Sequence, residues 1–154
     1  MKKEINITQI KRDAEEIYKS EKLQCAEALV HSIIKNVDPN MPQEMIHAAS
    51  GFSIGVGRAQ CMCSTVSAAV LCLGYFFGRS FPTTITDPCS LKTMELAYEL
   101  QDDFRNKNKT LCCRILRKGA KDGERLERCT GMIGDIAVKT AEIIAREFNL
   151  TLVA

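Results

Sequence analysis

Apolar residues recur at helical spacing along almost the whole chain, and this feature most limits the folds open to it. Near the start, Ile7, Ile10 and Ala14 would share one face of a helix. From 64 to 77 the chain is apolar on nearly every side, which is typical of a buried central helix. No segment alternates apolar and polar residues as a half-buried strand does. The sequence therefore predicts an all-α fold, a single-domain bundle of about five to seven helices over residues 1–154.

Capping residues, prolines and glycines set the boundaries of the other predicted helices. In the second helix, the core-facing residues stand four apart: Cys25, Leu29, Ile33 and Val37. Further helices are predicted over 42–49, 91–105, 112–118 and 128–148, with Ser90 as a cap and a glycine loop over 51–58. We expect polar or irregular connections over 78–88, 106–109 and 119–123.

Composition excludes several classes of protein. The net charge is +2, Lys and Arg are spread along the chain, and there is no Trp, so neither a nucleic acid nor a membrane surface is expected as a partner. Lys2 and Lys3 precede no apolar run, which argues against a signal peptide. The prediction is a soluble cytoplasmic protein. In that compartment the 8 cysteines are expected to be free, metal-bound or catalytic rather than a disulfide framework.

Four cysteines stand far apart in well-defined local contexts: Cys25, Cys63, Cys113 and Cys129. If folding brought their sulfurs together, they would form a soft-metal site or a thiol redox centre. The chain lacks repeated pairs of cysteines two residues apart, the usual signature of zinc and cluster sites. Instead it has Cys61 two positions before Cys63, and Cys112 beside Cys113. Adjacent helical residues point about 100° apart, so one cysteine of each pair is the expected site residue.

The order and context of these cysteines resemble the C-GCAxxG-C-C family over 23–145. The segments that carry the resemblance are Cys-Ala-Glu-Ala from Cys25, Gly-Phe-Ser-Ile-Gly-Val-Gly-Arg from Gly51, a small-residue helix after Cys63, Cys-Arg-Ile-Leu from Cys113, and the later Cys129. The resemblance implies a redox-active protein in which these four cysteines bind an iron–sulfur cluster.

The chain departs from the family motif after Cys63. The Cys-Gly-Ala-x-x-Gly segment reads Cys63-Ser-Thr-Val-Ser-Ala68 here. Small residues replace the glycines, which preserves close helix packing. Ser64 is expected to restrict the approach of the backbone to a cofactor, because glycine allows the closest approach.

Several residues are expected to stabilise thiolate charge at this site. Cys25 and Cys63 begin predicted helices, where free N–H groups and the helix dipole lower a thiol pKa. Cys129 is predicted near the start of the last helix, beside Arg128. The other residues expected to support the site are Arg58, Arg114, Gly55 and Gly57.

The remaining cysteines receive simpler interpretations. Cys72 lies inside the apolar helix and is expected to fill the core. Cys89, next to Pro88, is expected to be an incidental surface thiol. Cys61 and Cys112 are secondary candidates, either as extra ligands or as resolving thiols.

Three functions follow from these residues. The first is an iron–sulfur or other soft-metal protein that transfers electrons, with an oxidoreductase as partner. The second is a metal-free thiol–disulfide redox protein using Cys61 with Cys63, or Cys112 with Cys113. The third is a structural or interaction module with a zinc site or no site. The sequence identifies no catalytic residue, and the long last helix is compatible with a homodimer.

Overall fold

Seven α-helices, one 3-10 turn and two short strands make up the structure. This computed structural model describes residues 1–154. The helices are α1 (Ile7–Lys19), α2 (Cys25–Asn36), α3 (Glu44–Ala49), α4 (Ser64–Phe77), α5 (Pro88–Asn108), α6 (Cys113–Leu116) and α7 (Asp122–Phe148), with the 3-10 turn over Ser50–Phe52. The strands are β1 (Glu4–Asn6) and β2 (Thr151–Val153). The prediction of an all-α bundle of five to seven helices is confirmed.

Helix α4 forms the centre of the bundle. It packs against α2, α5 and α7, while α1 packs against α2 and α7. Its side chains Val66, Ala69, Cys72 and Leu73 are fully buried in a single apolar core that includes residues from α1, α2, α5 and α7. The predicted ends of α4 match the structure. A helix that is apolar on all sides contrasts clearly with its polar flanks, so its length can be predicted from the sequence. No helix combines the length and apolar character needed to cross a membrane.

A small parallel sheet was not predicted. Glu4 pairs with Thr151, Ile5 with Leu152 and Asn6 with Val153. Each strand has only three residues, which is too short to show the alternation that identifies strands in a sequence. In β1, Ile5 is fully buried between exposed neighbours, so this residue accounts for most of the apolar contact that holds the strand.

Helices α5 and α7 begin earlier than predicted. The carboxylate of Asp87, rather than the hydroxyl of Ser90, caps α5, because Asp87 Oδ1 accepts hydrogen bonds from the N–H groups of Cys89 and Ser90. That helix continues to Asn108 and ends where Lys109 adopts a left-handed conformation, so the predicted linker over 106–109 is mostly helical.

Helix α7 begins at Asp122 rather than near 128. The carboxylate of Glu124 accepts a hydrogen bond from the N–H of Lys121, which is half of a capping box. Cys129 therefore lies at the end of the second turn of α7, away from its start. The predicted turn over 119–123 is correspondingly shorter.

Candidate thiol site

Four cysteines from four separate helical segments line one internal cavity. Cys25 opens α2, Cys63 immediately precedes α4, Cys113 opens α6, and Cys129 lies in α7. We call these cysteines the four-thiol site and the cavity between them, of about 30 Å³, the inner cavity. The other residues around it are Ser64, Thr65, Leu116, Arg117 and Met132. The structure thus brings together the four cysteines named from the sequence; their role as ligands stays a prediction.

A short antiparallel contact fixes the positions of Cys63 and Cys113. The N–H of Cys63 donates to the carbonyl of Leu111 at 2.7 Å, and the N–H of Cys113 donates to the carbonyl of Cys61. These bonds flank an isolated bridge between Met62 and Cys112. The chain segments before α4 and α6 are therefore aligned side by side, and each helix starts next to the inner cavity.

The glycine loop, which packs beside this antiparallel contact, has an unusual run of positive φ angles. Five consecutive residues, 54–58, have φ between 57° and 69°, although three of them are Ile54, Val56 and Arg58. Branched residues rarely adopt this left-handed conformation, which costs about 1–2 kcal/mol per residue. A run of strained residues is held in place only when the surrounding structure enforces it. Here the loop folds back so that Cys61 N–H donates to the carbonyl of Gly55.

Gly55 lets this loop contact the site closely. A β-carbon at position 55 would lie 2.6 Å from the backbone nitrogen of Cys61 and 2.8 Å from Cβ of Cys113. No real side chain fits at those distances. Gly57, which was expected to play the same part, has no neighbour within 4 Å of such an atom.

Ser64 binds the loop through its hydroxyl group. Its Oγ accepts a hydrogen bond from the N–H of Gly55 at 2.7 Å and donates to the carbonyl of Phe52. The serine that replaces a motif glycine therefore fastens the glycine loop to the start of α4. Both partners of this hydroxyl are backbone groups of the loop.

Burial controls the pKa of Cys63. Its thiol pKa is raised, mainly because the side chain is removed from water. Hydrogen bonds from the Thr65 hydroxyl and from the N–H groups of Thr65 and Val66 act in the opposite direction. The start of α4 does supply donors, as predicted, but the predicted lowering of this pKa is wrong because desolvation outweighs them.

Cys113 and Cys129 also favour their neutral form. Burial raises the pKa of Cys129 to about 11, and negative charge on Cys25 and Cys63 adds to this effect. Burial likewise raises the pKa of Cys113, opposed by a hydrogen bond from Arg117. At neutral pH these groups are thiols in the absence of a cation. A bound metal centre would offset both effects, since it supplies positive charge and favours the deprotonated form of its ligands.

Arg117 and Tyr18 belong to the site but were missed in the sequence. Arg117 follows α6 and stands four residues after Cys113, a spacing that places both on one side of a helical turn and could have indicated it. Tyr18 reaches the site from α1; burial and then the charge of Cys129 and Cys25 raise its phenol pKa. No local pattern marks Tyr18, because its contact depends on how α1 packs.

The three arginines predicted to assist the thiols do not line the inner cavity. Arg58 and Arg114 are exposed, and Arg128 is exposed with its guanidinium donating to the carbonyl of Lys118 at 3.0 Å. Arg128 is adjacent to Cys129 in sequence, but neighbouring helical residues point in different directions.

The remaining cysteines lie apart from the inner cavity. Cys72 is fully buried within α4, where burial raises its pKa to about 12, and Cys89 is exposed in the first turn of α5. Cys61 is exposed and Cys112 half-buried; their thiols contact the carbonyls of Ala59 and Gln60 at 3.8 and 3.7 Å. All eight cysteines are free. No group of three or more His, Cys, Asp or Glu side chains is arranged to hold a metal ion.

A larger cavity adjoins the inner one and is open at its rim. This outer cavity has a volume of about 430 Å³. It shares Cys25, Cys113, Cys129 and Arg117 with the inner cavity, whereas Cys63 lines the inner cavity alone. Three cysteines of the four-thiol site therefore line both cavities, and the fourth lines the inner cavity alone.

The donor set of this site suits a soft centre. Four thiols line a largely apolar cavity, with backbone and hydroxyl donors directed at Cys63, and thiolates are the groups that bind soft metals and iron–sulfur clusters in proteins.

One comparison with known proteins gives a match. The model of the family described as "Putative redox-active protein (C_GCAxxG_C_C)" matches residues 23–143, which include all four cysteines of the site. Neither the curated proteins nor the solved structures contain a match to this chain.

Proposed function

Because the chain belongs to the C-GCAxxG-C-C family, we propose that it is a redox protein whose four-thiol site holds an iron–sulfur cluster and transfers electrons. The family description supports redox activity. The cluster and the electron transfer are the finer parts of this proposal. When bound, such a cluster supplies reversible one-electron transfer at a potential set by its hydrogen bonds and exposure.

One observation carries the proposal: four thiols from α2, the start of α4, α6 and α7 line the same cavity. Packing a core does not require cysteine, so packing alone does not explain four cysteines from separate segments around one cavity. Cys72 provides the contrast, since it is buried in α4 with no other thiol in its surroundings that affects its pKa.

The protein groups around the site have distinct tasks in this proposal. Thr65 and Val66 donate hydrogen bonds to Cys63 and stabilise its thiolate form. Arg117 offsets negative charge at Cys113 and Cys129. Burial of Cys63 excludes water from the inner side. The open side, at the outer cavity, is where an electron partner such as an oxidoreductase would approach.

Anaerobic reconstitution of the full chain with iron and sulfide tests the proposal. We expect a brown protein, with bound iron and sulfide, whose visible absorption is bleached by dithionite. Cys63→Ser is expected to lose most of the iron, because a hydroxyl is a poor ligand for such a centre. Cys72→Ser is the matched control: it changes a buried thiol of α4 outside the four-thiol site and should retain the iron.

Two other outcomes would replace the proposal. Colourless protein that contains zinc, and no iron, after the same treatment would indicate a structural zinc site. A mass loss of two hydrogens under a mild oxidant, with no metal bound, would indicate a thiol–disulfide protein. Equal iron content in Cys63→Ser and Cys72→Ser would show that the ligands are assigned wrongly.

A further inference from the structure

The outer cavity has the features of a binding site for a small molecule. Its volume of about 430 Å³ is within the range of ligand pockets. Its lining includes Cys25, Cys113 and Cys129. The rim is polar and includes the exposed residues Glu21 and Gln24. A molecule in this cavity would lie directly against the open side of the four-thiol site.

Arg117 is the unpaired cation of this cavity. It takes part in none of the ion pairs of the structure, although it lines both the inner and the outer cavity. The second arginine of the outer cavity, Arg125, is already neutralised by Asp122 at 2.7 Å. Arg117 hydrogen-bonds to Cys113 but pairs with no carboxylate, so it retains further guanidinium donors for another partner.

The groups around Arg117 leave its charge largely uncompensated. Cys113 and Cys129 are the cysteines that line both cavities together with Arg117. Glu21 is the other carboxylate of the outer cavity, and it is exposed at the rim. Tyr18 and Gln24 add a phenol and an amide that can donate hydrogen bonds. The lining thus combines one free guanidinium with neutral donors near the sulfurs.

We propose that the outer cavity binds a small oxyanion, a carboxylate, phosphate or sulfur oxyanion, with Arg117 as its principal partner and the sulfurs of Cys113 and Cys129 beside it. Guanidinium binds two oxygens of such an anion with paired hydrogen bonds. The negative charge of Glu21 at the rim disfavours large polyanions. That this anion is the redox substrate rests on the proposed function, whereas the binding site itself does not.

Nuclear magnetic resonance of the reduced, metal-free chain tests the binding site. Acetate, inorganic phosphate and sulfate are titrated separately at constant ionic strength, with chloride as the reference. At least one of them is expected to give saturable shifts of the amide signals of Cys113, Arg117 and Gly123. Shifts that never saturate, or that chloride reproduces, would overturn the proposal.

Two arginine variants separate the site from general surface charge. Arg117→Gln is expected to weaken binding at least about tenfold, because it removes a charge-assisted, forked contact. Arg114→Gln removes an exposed arginine of α6 that lines neither cavity and should bind as the unchanged chain does. Equal weakening in both variants would contradict the assignment. Arg117→Lys keeps the charge and is expected to bind with intermediate affinity.

Iron content keeps this proposal distinct from the proposed function. Wild-type chain that binds an oxyanion but never retains iron would refute the cluster and leave the anion site intact. Wild-type chain that retains iron but binds none of the three anions would refute the anion site and leave the cluster proposal intact.

Discussion

At the scale of single residues, the charge balance of the four-thiol site decides its chemistry. At Cys63 desolvation prevails over the helix-start donors, and at Cys129 burial and neighbouring negative charge act together, so both thiols have raised pKa values. Only Arg117 contributes a nearby positive charge that opposes this effect at Cys113 and Cys129. A protein that must keep such thiols reactive as thiolates would need more positive charge than this site has.

Replacing Arg117 is expected to make Cys129 less reactive. In Arg117→Gln the pKa of Cys129 should rise above its value of about 11, because the charge that favours the thiolate is gone. Alkylation of Cys129 by iodoacetamide in the reduced, metal-free chain should then be slower at pH 9, as measured by peptide mass spectrometry. Arg114→Gln should react at the unchanged rate; if it slows equally, the effect belongs to net charge and not to Arg117.

At the scale of elements, the left-handed glycine loop is the feature that aligns the starts of α4 and α6. Its residues are strained, and its contacts with Ser64, Cys61 and Cys113 hold it in place. The loop thus helps to set the positions of Cys63 and Cys113, which lie at the starts of these two helices.

Gly55 and Gly57 are expected to differ sharply when each is changed to alanine. Gly55→Ala forces a methyl group against the backbone of Gln60 and Cys61, and should lower the free energy of unfolding by about 3 kcal/mol or prevent folding. Gly57→Ala meets no neighbour and carries only the cost of its positive φ, about 1 kcal/mol. Urea denaturation of the two variants measures this difference. Equal losses would show that the close contact of Gly55 with the site is not needed.

The sequence predicted elements better than it predicted their ends and their chemistry. The bounds of α4 were correct because its apolar character stops sharply at Phe77. The start of α7 was misplaced because the first two turns are polar and solvent-facing, so they show no apolar period. Tyr18 was missed since its position depends on the packing of α1, and the pKa of Cys63 was misjudged since burial cannot be measured from local sequence.

At the scale of the whole molecule, the buried thiols link stability to pH. Burial raises the pKa of Cys72 to about 12 from an ordinary value of 9.0, and that of Cys129 to about 11. A group whose pKa is raised by folding binds its proton more tightly in the folded chain. Its contribution to stability is therefore complete below the pKa of the unfolded chain and is lost as the pH rises through the folded value.

The metal-free protein should consequently lose stability between about pH 9 and pH 12. Cys72→Ala removes a thiol whose pKa burial raises to about 12, so the free energy of unfolding of this variant should fall less steeply with pH over that range. Urea denaturation at several pH values compares the two chains. Parallel curves for the variant and the unchanged chain would show that Cys72 is not desolvated as the fold implies.

The separation of the four cysteines along the chain has a mechanical consequence. Any centre that bonds all four sulfurs cross-links α2, α4, α6 and α7 and so closes long loops in the unfolded state. The four-residue helix α6 benefits most, since few other contacts hold it against the bundle. Loss of the centre would then loosen α6 first, and the polypeptide around it would become the segment most open to proteases.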